Sequence, residues 1–135
     1  MDMRIGEIMT DKVEYIDHEA NIYEAIEKMI DKRIRSLVVR PKDEKDVYGV
    51  ITVRDIVFKV IKKNLDLDKV KVEDVASKPL VCIDEEVEIE HVVKLMEKFN
   101  IARIFVTRGR KVIGVVALLD VIVGYLRERI KEGHL

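Results

Sequence analysis

Thr52 and Asp55 stand three residues apart where an apolar run, Gly49-Val50-Ile51, gives way to a helical pattern beginning at Val53. A carboxylate at such a junction can accept hydrogen bonds from both hydroxyls of a vicinal diol. A threonine hydroxyl there can bond a sugar or a phosphate, and the unpaired backbone N–H groups of a helix start favour anions. The same Thr-x-x-Asp spacing is also a capping box, which needs no ligand. The pattern returns 65 residues later as Ile113-Gly114-Val115-Val116-Ala117-Leu118-Leu119-Asp120. The glycine, the apolar run and the aspartate recur, while the threonine has become Ala117.

Each corner needs a strand to enter it and a helix to leave it. Before the first corner, Val13 to Ile16 reads as a short strand after a lead-in helix over Met1 to Met9. Ile22, Ala25, Ile26, Met29 and Ile30 then recur at helical spacing. Leu37-Val38-Val39 reads as a buried strand, Arg40 to Asp46 as a charged loop, Val47 to Ile51 as a strand and Val53 to about Lys63 as a helix. Leu65 to Lys71 is a polar connector, and after it the order repeats. Val72 to Ala76 matches the lead-in, Leu80 to Ile83 a strand, and Ile89, Val92, Val93 and Met96 a helical face. Ile104 to Val106 and Lys111 to Val116 are strands around a basic turn, and Leu118 to about Glu132 is the last helix.

Self-comparison makes this a tandem duplication. At a shift of 67, Ile16-Asp17 falls on Ile83-Asp84, Glu19 on Glu86, Ile22 on Ile89, Met29 on Met96, Ile34 on Ile101 and Val39 on Val106. The copies run over residues 1–64 and 65–135. Each has too few elements to close a core alone, so the two are expected to pack together about a pseudo-twofold axis. The strand-helix-strand crossover is expected to be parallel and right-handed, and the next two strands to form a hairpin. The fold class is α+β, with two βαββα motifs.

Composition narrows the function classes. Charged residues reach 38%, yet the formal net charge is -1, so the charge is mixed surface rather than a field aimed at nucleic acid. Many Lys and Glu, with no glutamine and no tryptophan, give a thermophile-like composition. A single cysteine, Cys82, forbids an intrachain disulfide. It falls in a strand and is expected to be a small buried apolar residue. Neither a signal peptide nor a membrane span is suggested, so the cytoplasm is the expected location. Metal-ligand spacings and phosphate-loop signatures are missing, and no nucleophile with a base and orienting acid can be assembled. His18, His91 and His134 read as surface residues. No catalytic and no metal residues are expected, and the chain is not expected to be an enzyme.

The two copies resemble the CBS-domain family, named after cystathionine β-synthase. The resemblance rests on the lead-in Ile5-Gly6-Glu7-Ile8-Met9-Thr10, on Ile34-Arg35-Ser36-Leu37-Val38-Val39 after the helix, and on the corner Gly49-Val50-Ile51-Thr52-Val53-Arg54-Asp55. The second corner fits less closely, through Ala117. A proline common in the family's second strand is Val38 in one copy and Phe105 in the other. The resemblance implies a stand-alone CBS pair, a Bateman module, that binds AMP, ADP, ATP or another adenosyl compound and regulates something else. A homodimer is expected, built on the two corner helices.

The resemblance also implies where such a ligand lies. In the first site Asp55 grips ribose, Arg35 and Ser36 reach the phosphate side, and Thr52 and Arg54 complete the set. The base lies in a slot from the other copy, around Ser77, Pro79, Leu80 and Val81. The second site uses Arg103, Leu119 and Asp120, with the base near Asp11, Lys12 and Val13. It is expected to be weaker, because Ala117 lacks a hydroxyl and Ala102 stands where the first copy has Arg35. The alternative is a ligand-independent dimerisation or docking scaffold for an unidentified regulated protein.

Overall fold

A computed structural model of the chain describes residues 3–133. The first copy gives β1 (Tyr15–Ile16), α1 (Ile22–Lys32), β2 (Ser36–Val39), β3 (Gly49–Thr52) and α2 (Val53–Ile56). The second gives β4 (Cys82–Asp84), α3 (Ile89–Lys98), β5 (Arg103–Arg108), β6 (Lys111–Ala117) and α4 (Leu118–Lys131). This is the α+β class with two βαββα motifs. The strands form two three-stranded sheets, ordered β1-β2-β3 and β4-β5-β6. In each, the crossover pair is parallel and the hairpin pair antiparallel.

Two expected elements come out shorter. The lead-in helix is a single 3₁₀ turn, Ile5–Glu7, because the N–H groups of Ile5 and Gly6 go to the carbonyls of Val87 and Glu85. The helix after the first corner keeps α geometry only to Ile56 and continues as a π-helical turn, Val57–Ile61. There the Lys62 N–H donates to the Val57 carbonyl, five residues back. Helix α4 is regular over its 14 residues.

The chain divides into two compact units that do not coincide with the two sequence copies. One is continuous, Glu14–Leu80; the other is split, with described residues 3–13 and 81–133. Each copy's lead-in therefore folds with the body of the other copy. In the continuous unit, Val72 and Glu73 donate to Ala20 and His18, and Ile22 donates back to Val70. In the split unit, Ile5 and Gly6 donate to Val87 and Glu85, and Ile89 donates back to Met3. Each unit has its own core. Ile22, Ala25, Met29, Leu37, Ile51, Val60 and Val72 close the continuous unit. Ile5, Ile89, Val92, Met96, Ile104, Val106 and Val116 close the split one. The helical faces are narrower than their sequence pattern: Ile30 is 72% exposed and Val93 41%.

The recurring glycine has a packing reason. The chain after each lead-in runs across a hairpin strand, joined by a two-way backbone bond. Val50 and Ser77 exchange bonds of 3.0 and 2.9 Å, and Thr10 and Val115 exchange two of 2.9 Å. A Cβ on Gly49 would stand 2.9 Å from the Ser77 carbonyl oxygen, and one on Gly114 2.9 Å from that of Thr10. Replacing Gly49 by valine should therefore lower stability by about 1–3 kcal/mol, as overpacking does. A denaturant midpoint equal to the parent's would show that the crossing strand can move aside.

Candidate functional site

At the first corner the capping box is fully formed. The Thr52 hydroxyl accepts from the Asp55 N–H at 3.1 Å, and Asp55 Oδ2 accepts from the Thr52 N–H and hydroxyl, both at 2.9 Å. The other carboxylate oxygen, Oδ1, is 3.0 Å from Lys59 Nζ, one helical turn on. Lys59 Nζ also donates to the Val75 carbonyl at 3.1 Å. The Asp55 side chain is only 14% exposed, so these bonds form where water screens them little.

The β2–β3 register places Ser36 directly opposite Thr52, and the Val53 N–H donates to the Arg35 carbonyl at 3.0 Å. Arg35, Ser36, Thr52 and Asp55 thus meet at one end of the hairpin. Arg35 is exposed and its guanidinium has no partner among the described residues. The Arg54 guanidinium lies 5.0 Å from the centre of the Phe58 ring, a cation–π arrangement. Ser77, Lys78, Pro79 and Leu80 follow the outer edge of β3, where the Leu80 N–H donates to the Tyr48 carbonyl at 2.8 Å. Leu80 is buried, while Ser77 and Pro79 are exposed. Val81 begins the split unit and is 42% exposed.

The second corner repeats the backbone and changes the chemistry. Asp120 Oδ2 accepts from the Ala117 N–H at 2.8 Å, and its Oδ1 has no partner among the described residues. Arg103 stands opposite Ala117 in the β5–β6 register and is half-buried. Leu119 is 67% exposed. Asp11 and Lys12 are exposed and Val13 half-buried, just after the Thr10 crossing.

A clamp that sequence reasoning did not find fixes the Ser77–Leu80 segment. Lys78 Nζ makes two 2.8 Å bonds to the Asp46 carboxylate, which also accepts from the Lys42 N–H at 2.8 Å. Lys42 Nζ reaches Glu73 at 3.1 Å. The Lys78 hydrogen bond, with backbone donors from Lys42 and Val47, holds the Asp46 carboxyl well below the usual carboxylate range. The Lys42 hydrogen bond lowers Glu73. No local pattern marks Asp46 and Lys78, which are 32 residues apart. Lys59 was within reach, since it follows Asp55 at the i,i+4 spacing of a helical ion pair.

Cys82 is not buried. It lies on edge strand β4 and is exposed, although partial desolvation raises its thiol pKa. Ile83 packs against the core while Cys82 and Asp84 on either side of it are exposed, so only one side of β4 faces the core. His18 is half-buried, 3.8 Å from Glu19, and His91 is exposed. His134 lies outside the described residues. No described helix is long and apolar enough to cross a membrane.

Two βαββα motifs, each carrying a strand-to-helix corner whose aspartate accepts the N–H three residues earlier, define a duplicated architecture. The CBS domain model matches twice, over residues 5–62 and 72–126, and the chain belongs to the CBS-domain family. It is 31% identical over 119 residues to the uncharacterized protein YlbB of Bacillus subtilis, covering 87% of this chain and 78% of that one. It spans only 48% and 58% of the length of two other curated relatives. A hexameric CBS-CP12 protein from bloom-forming cyanobacteria superposes with a TM-score of 0.83 at 33% identity, over 90% of this chain and 67% of that one. A CBS domain protein from Pyrobaculum aerophilum, solved in complex with AMP, shares the fold with a TM-score of 0.76 at 20% identity, over 93% and 99% of the two chains.

The Asp46 clamp gives a pH dependence with a definite sign. A carboxylate held below its unfolded value adds stability above that value and loses it as the pH falls toward the folded one. Asp46→Asn should therefore melt below the parent at neutral pH. The gap should close progressively as the pH drops below the ordinary carboxylate value of 3.8. Parallel melting curves across the whole acid range would remove Asp46 from the acid response.

Proposed function

We propose that the chain is a regulatory module that binds an adenosyl ligand of the AMP, ADP or ATP type and carries no catalytic activity of its own. The observation that supports this most is the second corner. Asp120 is half-buried at a helix start, held by one backbone N–H, and keeps an oxygen with no partner. Such an oxygen suits a hydroxyl donor from a ligand. In the first site Asp55 receives the ribose, Ser36 and Arg35 reach toward the phosphate, Thr52 and Arg54 complete the set, and the base lies against Ser77, Pro79 and Leu80. In the second, Asp120 and Arg103 play these parts beside Leu119, with Asp11, Lys12 and Val13 for the base. The P. aerophilum protein, which shares the fold, was solved in complex with AMP, and this supports the reading. A ligand-free scaffold is the rival reading, favoured by the complete capping box at Thr52 and Asp55.

The module is proposed to act as a homodimer through its corner helices. Val60 is fully buried, but Val57, Phe58 and Ile61 are 44–55% exposed, and Leu118, Ile122, Leu126 and Ile130 are 47–62% exposed. An apolar groove of about 440 Å³ runs between α3 and α4, lined by Val93, Met96, Ile101, Leu118, Val121 and Ile122. Exposed apolar surface of this kind suits an interaction site. The CBS-CP12 relative is a hexamer, which supports assembly without fixing its order.

Thermal shift with AMP, ADP, ATP and S-adenosylmethionine tests the ligand reading. Binding to the native state alone should add about 2.7 kcal/mol at a hundred times the dissociation constant. A flat panel favours the scaffold. Asp55→Asn should weaken binding at the first corner by roughly ten- to a hundredfold, since bonds to a charged acceptor contribute about 1.5–3 kcal/mol. The 2′-deoxy ligand should lose a similar amount with the parent and much less with the variant. An additive cycle takes Asp55 out of ribose binding. Light scattering at tens of micromolar should give a dimer, and a monomer would sink the assembly.

A further inference from the structure

The two corner aspartates differ in how many of their acceptor positions are taken. A carboxylate offers about four lone-pair positions. On Asp55, Oδ2 accepts two hydrogen bonds, from the Thr52 N–H and hydroxyl, and Oδ1 is ion-paired with the Lys59 ammonium at 3.0 Å. A ribose diol brings two donors, which fall to Oδ1, so either the Lys59 ammonium moves off that oxygen or a Thr52 donor leaves Oδ2. The Thr52 donors belong to the helix cap, whereas Lys59 sits at the end of a flexible side chain that is 46% exposed. Lys59 is therefore the group that gives way.

Giving way has a charge consequence. A neutral diol that displaces Lys59 leaves its ammonium with only the Val75 carbonyl. A ligand carrying a phosphate supplies a new anionic partner for the freed cation. The second corner has no such toll. The residue at the position of Lys59 is Gly124, 65 residues on, and Asp120 has a single donor. A Cβ on Gly124 would stand 2.5 Å from Ile8 Cγ2, so the packing keeps any long cationic side chain away from that place.

We propose that Lys59 is a specificity-determining residue: it sets the first corner to accept nucleoside 5′-phosphates over unphosphorylated nucleosides, while the second corner takes both. The proposal rests on the adenosyl reading above. It adds a discriminating residue outside the Arg35, Ser36, Thr52, Arg54 and Asp55 set.

Calorimetric titration with AMP and adenosine tests it. In Asp120→Ala protein, which leaves only the first corner, AMP should bind at least about tenfold tighter than adenosine. Adding Lys59→Met should shrink the gap to about threefold or less, chiefly because adenosine gains affinity. Lys59→Arg should preserve the gap. If the methionine variant melts early, Lys59→Gln, which can still donate to Val75, makes the same comparison. A gap that persists undiminished in both neutral variants overturns the role of Lys59 and leaves the adenosyl reading standing. Neither probe binding the parent at millimolar concentration overturns both.

Discussion

The structure depends on a backbone crossing that leaves no room for a side chain. Val50 and Ser77 exchange two hydrogen bonds, Thr10 and Val115 exchange two more, and a glycine lies beneath each crossing. The crossing anchors the start of each lead-in extension to a hairpin of the other copy. It brings Ser77 to Leu80 alongside the strand that ends at Thr52. The Asp46–Lys78 ion pair then fastens the same segment from the far side of the hairpin loop. Side chains 29% and 20% exposed make this pair less screened than a free surface bridge.

Much of this was legible in the sequence, because the duplication supplied a second reading of every element. The parallel pair, the hairpin and the corner follow from apolar periodicity confirmed at a fixed shift. What escaped was set by contacts distant along the chain. The lead-in stops at one 3₁₀ turn because its first N–H groups are satisfied elsewhere, at Val87 and Glu85. Cys82 is exposed because its strand is an edge, and a strand's position in a sheet is not written in its own residues. The Asp46–Lys78 pair joins residues that only the folded hairpin brings together. At the corners the capping box was legible, and so was the loss of a hydroxyl at Ala117. The lysine that completes the first corner lay one turn further on.

The corners show how one backbone device can serve two electrostatic settings. In both, a carboxylate oxygen accepts the N–H three residues earlier, at 2.9 Å from Thr52 and 2.8 Å from Ala117. That bond fixes the side chain whether or not anything else is present. The setting comes from the neighbours: threonine, arginine and lysine around Asp55, alanine, leucine and glycine around Asp120. The helix itself follows suit, with a π turn around Lys59 and regular α geometry around Gly124. Duplication thus preserved the part that folds and left the decorations free to diverge.

The reciprocal placement of the lead-ins bears on how such a chain could arise. A single unduplicated copy that kept this pairing would have no second copy's hairpin to receive its crossing strand. It could complete its core only by borrowing that segment from a second molecule, as domain-swapped dimers do. Joining two copies in tandem makes the loan internal, so completion no longer depends on how dilute the protein is. Once tethered, the lenders need not stay identical.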